Sequence, residues 1–215
     1  MARPAAVDTD NGLARGDHLR SLSVVRVVAG DLRGRRIESH VGDATRPTTD
    51  KVREAVFNAL GSLDLVDGAR VLDLFAGSGA LGLEALSRGA ASVLLVEKRA
   101  PAAQVIRRNV ERVGLPGARV VVSSLASLAR RAADGPPAGL VLLDPPYDVA
   151  STTIADELTA LVASGWVASD AIVVVERPAS APQSPMPWPG ERREYGDTAL
   201  WYGRAAVDRE ERDDA

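Results

Sequence analysis

Four consecutive residues, Asp144, Pro145, Pro146 and Tyr147, combine groups that could hold and stack a planar amine. They follow an apolar segment, residues 140–143, that is typical of a buried strand. Two adjacent prolines stiffen the chain and lack N–H donors. The Asp144 carboxylate and the Pro145 carbonyl can then both accept hydrogen bonds from an exocyclic NH2 group. The Tyr147 ring can stack on a base that has left its helix, although a rigid loop with a half-buried tyrosine would have the same residues.

A glycine-rich turn at residues 73–82 has the spacing of a nucleotide-binding loop. It reads DLFAGSGALG, matches G-x-G-x-x-G, and lies between an apolar strand and a helical segment, which is the context that this motif requires. Gly77 and Gly79 allow a sharp bend and the close approach of a ligand. Glu97 ends the next strand, where a carboxylate can bind both hydroxyls of a ribose. A tight turn beside a solvated glutamate is the alternative, and the joint spacing of turn and carboxylate argues against it.

The glycine motif alone fits either NAD or S-adenosylmethionine. Asp73, at the tip of the strand, favours S-adenosylmethionine, because a carboxylate suits the cationic amino end of a methionine moiety and would repel a pyrophosphate. Ser124, after the third strand, is placed where it could contact the edge of an adenine. The predicted cofactor site includes five further positions around these residues, namely Phe75, Ala76, Ser78, Lys98 and Leu125.

The candidate residues need a scaffold that brings strand ends together. From residue 62 onward, apolar strands alternate with helical segments, as expected for a doubly wound, mostly parallel α/β sheet with helices on both faces. After a proline-rich stretch, two short strands predict a terminal antiparallel hairpin. The predicted parallel strands are residues 70–74, 92–96, 119–122, 140–143 and 171–175, and the hairpin strands are about 191–195 and 199–204.

The chain before this domain predicts a small extension. Residues 24–38 indicate a β-hairpin, and a helix is expected after Pro47, with Thr49 or Asp50 as its cap. The two ends of the chain lack periodicity, and we expect them to be disordered. The predicted division is a tail at 1–20, a hairpin and linking helix at 21–61, a catalytic domain at 62–206 and an acidic tail at 207–215.

Charge is distributed unevenly along the chain. The formal net charge is −3, yet residues 20–53 hold eight basic groups against four acidic ones. On charge alone, this excess of basic residues is explained well by an arginine-rich protein that has charged side chains on its solvent-exposed faces. The sharper interpretation is a lobe that docks on RNA, because arginine forks suit phosphate oxygens. The residues predicted to contact RNA are Arg33, Arg35, Arg36, Arg46, Thr48 and Arg53.

Composition excludes several classes of site. The 215 residues include no cysteine and only two histidines, so disulfide scaffolds, cysteine nucleophiles and thiolate metal sites are excluded, and we expect no metal. No apolar run approaches the roughly 18 residues of a membrane span. The N-terminus lacks the apolar region of a secretory signal. We therefore expect a cytoplasmic, monomeric protein without a membrane partner.

Together, DLFAGSGALG, Glu97, DPPY and the terminal hairpin resemble the class I S-adenosylmethionine-dependent amino-methyltransferases over about residues 62–205. VRVVAGDLRGRRI, RPTTDKVREAVFNAL and YGDTALWY resemble the RsmD family over about residues 24–204. That resemblance implies a Rossmann-like fold, S-adenosylmethionine as methyl donor and DPPY as the catalytic tetrad. It implies transfer to the N2 of a guanine in 16S rRNA, within the small ribosomal subunit or an assembly intermediate. Ser123 and Ser124 stand where many methyltransferases have an acidic residue.

Three other classes share part of this pattern. A NAD-dependent oxidoreductase would share the glycine turn but would not need DPPY. A DNA adenine-N6 or protein glutamine methyltransferase would share DPPY or its asparagine variant. A non-catalytic RNA-binding module would need the basic segment but not an intact cofactor turn.

Overall fold

A computed structural model describes residues 22–40 and 48–206 of the chain. These ranges hold nine strands and five helices. The strands are β1 (Leu22–Arg26), β2 (Arg36–His40), β3 (Arg70–Leu74), β4 (Ser92–Glu97), β5 (Ala118–Val122), β6 (Ala138–Leu143), β7 (Val167–Pro178), β8 (Gly190–Tyr195) and β9 (Thr198–Arg204). The helices are α1 (Thr48–Gly61), α2 (Ala80–Ser87), α3 (Ala100–Val113), α4 (Leu125–Ala129) and α5 (Ser151–Ala163).

Seven strands form the central sheet in the order β5-β4-β3-β6-β7-β9-β8. The five strands β3 to β7 pair in parallel, and β9 joins β7 and β8 antiparallel. This arrangement confirms the predicted doubly wound sheet with a terminal antiparallel hairpin. The chain runs outward from β3 through β4 to β5 and then returns to β6 on the other side of β3. Ligand crevices in such sheets lie at this change of direction, beyond the carboxyl ends of the strands.

Alternating residues of the strands bury two hydrophobic cores, one on each face of the sheet. Leu142 and Val174 belong to the first core, whereas Leu143 and Val175 belong to the second. The first core also takes up the apolar face of α1, including Phe57, which is fully buried. Both faces of the central strands are therefore covered, which is why their sequences are apolar throughout.

Two strands depart from the sequence prediction. β5 is half-exposed, with Val122 44% exposed, because it is an edge strand with a single neighbour. β7 extends over Val167–Pro178 instead of residues 171–175, because its later residues pair with β9 as far as Pro178.

The N-terminal hairpin β1–β2 packs on the main domain as part of the same core. Val25 and Ile37 are buried in the first core together with residues of β3 and β4. The loop between the two strands is hydrogen-bonded to Ser87 at the end of α2: the Asp31 N–H donates to its carbonyl at 2.8 Å and the Leu32 N–H to its hydroxyl at 2.9 Å. The core thus continues across the predicted boundary between residues 61 and 62.

Two kinds of feature are absent from the part of the chain that the structure describes. None of the helices in these ranges is long and apolar enough to cross a membrane. Over the same ranges, no group of three or more His, Asp or Glu side chains is placed to hold a metal ion.

Candidate active site

A cleft of about 750 Å³ lies at the carboxyl ends of β3, β4, β6 and β7. Its volume is within the range of about 300–1,000 Å³ that is common for small-molecule sites. The structure brings the glycine turn, the end of β4 and the Asp-Pro-Pro-Tyr loop together around it. Predicted site residues in its wall are Arg53, Asp73, Phe75, Ala76, Gly77, Ser78, Glu97, Lys98, Asp144, Pro145, Pro146 and Tyr147.

The glycine turn owes its shape to left-handed backbone conformations. Gly77 has φ 56° and Gly79 has φ 81°, a region that glycine adopts at no steric cost. Phe75 has φ 59°, which is uncommon for a residue with a side chain and was not foreseen from the sequence. At Gly82, a Cβ would lie 2.9 Å from the Asp73 carboxylate, so this glycine allows α2 to approach β3 closely. The glycine spacing therefore serves both the turn and the packing behind it.

Asp73 is the buried acidic residue of this turn. Its side chain is only 1% exposed, and its Oδ2 accepts the Gly82 N–H at 2.8 Å. Burial raises the pKa of Asp73 to about 7, the Gly82 hydrogen bond opposes that rise, and the charges of Asp144 and Glu97 add to it. Asp144 and Glu97 thus lie close enough to repel a charge on Asp73. A cation in the cleft would relieve this repulsion, and an anion would increase it.

Glu97 connects the end of β4 to the glycine turn. Its Oε2 accepts the Gly77 N–H at 3.0 Å, and its Oε1 accepts the Arg99 N–H at 2.8 Å. The side chain is 5% exposed and lines the cleft. A carboxylate offers about four acceptor positions. The Arg99 Nε–H also donates to Oε1, at 3.3 Å, so about one acceptor position of Glu97 remains for ligand hydroxyls while it holds the turn in place.

The remaining predicted cofactor residues do not line the cleft. Gly79 is the N-cap of α2, behind the turn. Ser124 is the N-cap of α4, and its Oγ accepts the Ser127 N–H at 3.2 Å. Leu125 is 4% exposed and packs in the second core. Ser124 and Leu125 thus occupy cap and core positions outside the cleft wall, and the adenine contact expected for Ser124 stays a prediction.

The Asp-Pro-Pro-Tyr loop is supported from beneath by Arg177 of β7. The Arg177 guanidinium donates to the Pro146 carbonyl at 3.3 Å and to the Val149 carbonyl at 2.7 Å. It is 4% exposed; burial lowers the pKa of Arg177, and the nearby Asp144 charge opposes this. Above this support Pro145 is buried, whereas Tyr147 is 45% exposed. Sequence analysis missed Arg177, although an arginine at the end of an apolar strand was a usable signal.

The N-terminal extension forms one wall of the cleft. Val25, Ser39 and Arg53 all line it. Arg53 is 5% exposed and donates to the Arg26 carbonyl at 2.7 Å and to Asp50 at 2.7 Å. These contacts hold α1 against β1, so the Arg53 guanidinium belongs to the interior wall.

Buried Glu84 of α2 fixes the start of the hairpin loop. Its carboxylate accepts the Val28 N–H at 2.7 Å and the Ala29 N–H at 3.0 Å, and it pairs with Arg88 at 2.7 Å. Arg53 Nε lies 3.8 Å from the same carboxylate. Glu84 was not among the residues predicted from the sequence, because the backbone N–H groups that it accepts lie more than 50 residues earlier in the chain.

The arginines predicted to meet RNA have different environments. Arg33, Arg35 and Arg36 are exposed on the hairpin. Arg35 additionally donates to the Arg112 carbonyl at 3.4 Å. Arg46 lies outside the described residues. Thr48 begins α1, and its side chain also lies outside the described part.

The chain is similar to one protein family, to ribosomal RNA methyltransferases and to a solved methyltransferase structure. A family described as Conserved hypothetical protein 95 matches residues 25–204. The Escherichia coli K12 ribosomal RNA small subunit methyltransferase D is 40% identical over 152 residues, 71% of this chain and 74% of that protein. The Haemophilus influenzae protein of the same name is 32% identical over 155 residues, which are 71% of this chain and 78% of that protein. The solved structure of the Escherichia coli protein yhhF superposes with a TM-score of 0.71 at 36% identity, covering 86% of this chain and all of that one. The chain therefore belongs to the Conserved hypothetical protein 95 family, the RsmD family of methyltransferases.

Proposed function

We propose that this protein transfers a methyl group from S-adenosylmethionine to the exocyclic N2 of a guanine in 16S rRNA. The observation that carries the proposal is the single cleft that joins the glycine turn to the Asp-Pro-Pro-Tyr loop, in a member of the RsmD family. The partner is 16S rRNA within the small ribosomal subunit or an assembly intermediate. Because that partner is cytoplasmic, we propose that the protein acts in the cytoplasm. We also propose that it acts as a monomer.

The cofactor end of the cleft suits a cationic ligand with a ribose. S-adenosylmethionine supplies an activated methyl group on a positively charged sulfur. Asp73 and Glu97 supply the opposite charge, and they would oppose the pyrophosphate of a dinucleotide. Glu97 accepts the ribose hydroxyls, and the Gly77 and Ser78 backbone lies against the cofactor. In this proposal Lys98 and Phe75 flank the site, because both line the cleft wall.

The acceptor end of the cleft suits a flat base with an amino group. The Asp144 carboxylate and the Pro145 carbonyl accept the two N2–H groups, and the Tyr147 ring stacks on the base. Guanine N2 is a poor nucleophile because its lone pair is delocalised into the ring. Hydrogen bonds to Asp144 and Pro145 favour the more tetrahedral nitrogen of the transition state. Arg177 keeps these acceptors in place through its bond to the Pro146 carbonyl.

Transfer is a direct displacement, so alignment of the two ends is the main task of the protein. The N2–C bond forms as the C–S bond breaks, and the proton on N2 leaves to Asp144 or to water. The proposal requires no metal and no covalent intermediate on the protein.

The first experiment tests the reaction itself. Small subunits from a strain without this gene are incubated with the protein and S-adenosylmethionine, and their rRNA is mapped by mass. We expect one methyl group on one 16S guanine, and a rise in Tm with S-adenosylmethionine but not with NAD. Methylation of DNA or protein instead of rRNA, or stabilisation by NAD alone, would overturn the proposal.

The second experiment tests the tetrad. Asp144→Ala should lose most methyl transfer while its affinity for S-adenosylmethionine in calorimetry stays unchanged, because Asp144 faces the acceptor. Tyr147→Ala should lose more activity than Tyr147→Phe, which keeps the ring. Transfer at the wild-type rate by Asp144→Ala would mean that the tetrad is only a rigid loop.

RNA docking is proposed for the exposed arginines of the hairpin, Arg33, Arg35 and Arg36, together with Arg46 and Thr48. Replacing the three hairpin arginines by Gln should weaken binding to small subunits and make its salt dependence shallower, by a slope of about 2 if each meets one phosphate. Arg204→Gln is the matched control, since Arg204 is an exposed arginine at the end of β9. An unchanged salt slope in the triple variant would contradict this role.

A further inference from the structure

Glu176 of β7 is a carboxylate in the cleft wall that the reaction described above does not use. It is half-buried and belongs to no motif that the sequence displays. The cleft wall also holds Asp144 and Tyr147, so Glu176 stands at the acceptor end. The inference drawn below rests on the proposed function, because it concerns how the same cleft selects its base.

The sheet register places Glu176 beside Asp144. Leu142 pairs with Val174 and Leu143 with Val175, so the next positions along the two strands are Asp144 and Glu176. Neighbouring strands lie about 4.8 Å apart. Asp144 directly follows β6, Glu176 lies at the neighbouring position of β7 two residues before that strand ends, and both residues line the same cleft.

Alternation along β7 separates Glu176 from the residue that supports the tetrad. Val175 packs in the second core, and Arg177, two residues later on that face, lies beneath the Asp-Pro-Pro-Tyr loop. Val174 packs in the first core, and Glu176 continues that face of the sheet, on which α1 and the hairpin also pack. One strand end thus provides a support under the loop and an acceptor inside the cleft.

Two neighbouring acceptors match one edge of guanine. This edge has two adjacent donors, the N2 amine and N1–H, followed by the O6 acceptor. With the amine on Asp144 and the Pro145 carbonyl, the N1–H points to the next position along the edge. Adenine has an unprotonated N1 at that place, which would face the lone pairs of a carboxylate. A site built to accept a hydrogen bond rejects ligands that lack the donor, because its polar group would then be left unpaired.

We propose that Glu176 accepts the N1–H of the target guanine and thereby sets the selectivity of the cleft for guanine. Asp144 holds the reacting nitrogen, and Glu176 recognises the atom next to it. Glu176 is then a specificity residue that contacts the substrate base, and its replacement should change which base is accepted more than it changes cofactor binding.

The test compares two bases that both have the N2 amine. Small subunits are reconstituted with 16S rRNA that carries either guanine or 2,6-diaminopurine at the position that mapping identifies. Diaminopurine keeps the N2 amine, but its N1 is an acceptor. The wild-type protein should prefer guanine in kcat/KM by at least about 100-fold. Glu176→Gln should reduce that preference at least about tenfold, because a Gln amide can donate to N1 of diaminopurine or accept N1–H of guanine.

Two further variants keep the test decisive. Glu176→Asp retains the charge, so it should lower the rate on guanine but keep the preference over diaminopurine. Glu111→Gln on α3, an exposed glutamate, is the matched control and should behave as wild type in both assays. Calorimetry with S-adenosylmethionine should show unchanged affinity for all of them.

The outcomes separate this inference from the proposed function. A preference that stays unchanged in Glu176→Gln, with an active wild-type protein, overturns the role of Glu176 and leaves guanine-N2 methylation standing. A wild-type protein that transfers no methyl to guanine-containing subunits overturns the proposed function and this inference together. A reduced preference in Glu176→Gln, with the preference retained in Glu176→Asp, supports the inference.

Discussion

The titration of Asp73 should be visible in the stability of the whole protein. The pKa of this carboxylate rises from 3.8 to about 7 on folding, chiefly because burial removes its water. Between these pH values the folded protein keeps a proton that the unfolded chain has already released. The stabilisation from Asp73 is therefore complete below about pH 4 and is lost as the pH rises to about 7.

The size of this effect follows from the two pKa values. Each unit of difference is worth about 1.4 kcal/mol, so a shift from 3.8 to about 7 corresponds to roughly 4 kcal/mol in the free energy of unfolding. Such a loss is a large part of the roughly 5–15 kcal/mol that stabilises a typical domain. The loss arises because the charged form of Asp73 is buried away from water and has the Gly82 N–H, at 2.8 Å, as its hydrogen-bond donor.

Asp73→Asn isolates this contribution, because the amide keeps an acceptor for the Gly82 N–H but has no charge. Urea unfolding of both proteins at pH 5, 6, 7 and 8 gives the difference in stability. Other titrating groups, such as Glu157 of α5, whose pKa is raised by burial, cancel in this difference. The free energy of unfolding of the wild type minus that of the variant should fall by about 1.4 kcal/mol per pH unit up to about pH 7, and it should be constant above that pH. Saturating S-adenosylmethionine should reduce the slope, since a cation beside Asp73 favours its charged form. A difference that stays level from pH 5 to 8 would refute the reasoning.

Three further predictions concern positioning. Arg177→Lys should lower methyl transfer about tenfold without changing cofactor affinity, because one ammonium cannot replace a fork that binds two carbonyls; kinetics at the wild-type rate would exclude this role. Glu84→Ala should cost about 3–5 kcal/mol in urea unfolding, since it leaves buried donors unpaired, and a loss below about 1 kcal/mol would contradict the network. Gly30→Ala should destabilise more than Gly34→Ala: both have φ near 80°, but only at Gly30 would a Cβ overlap the Ser87 carbonyl, at 1.7 Å, so equal losses would disprove that contact.

The sequence was sufficient for the parallel sheet because its evidence is local. Apolar strands, a glycine turn and a tetrad directly after a strand each occupy a few consecutive residues. The roles of Arg177 and Glu176 depend instead on which strands become neighbours. Only when β7 lies beside β6 does Arg177 reach the Pro146 carbonyl and Glu176 stand beside Asp144. Ser124 is a less specific case, since a serine after a strand can be a ligand contact or a helix cap. Here it caps α4, and its contact with an adenine stays a prediction.

The N-terminal hairpin shows why charge alone did not define its role. Its exposed arginines fit a docking surface, but its backbone is joined to the cofactor turn through buried Asn109 of α3. The Asn109 amide donates to the Glu38 carbonyl at 2.8 Å and to the Ser78 carbonyl at 2.9 Å, and its oxygen accepts the Glu38 N–H at 2.8 Å. A side chain that is fully buried between β2 and the turn leaves little room for independent movement of either. Removing the hairpin would therefore disturb the turn as well as the proposed docking surface. Substitutions of single exposed arginines are the cleaner way to test RNA binding separately from the integrity of the cleft.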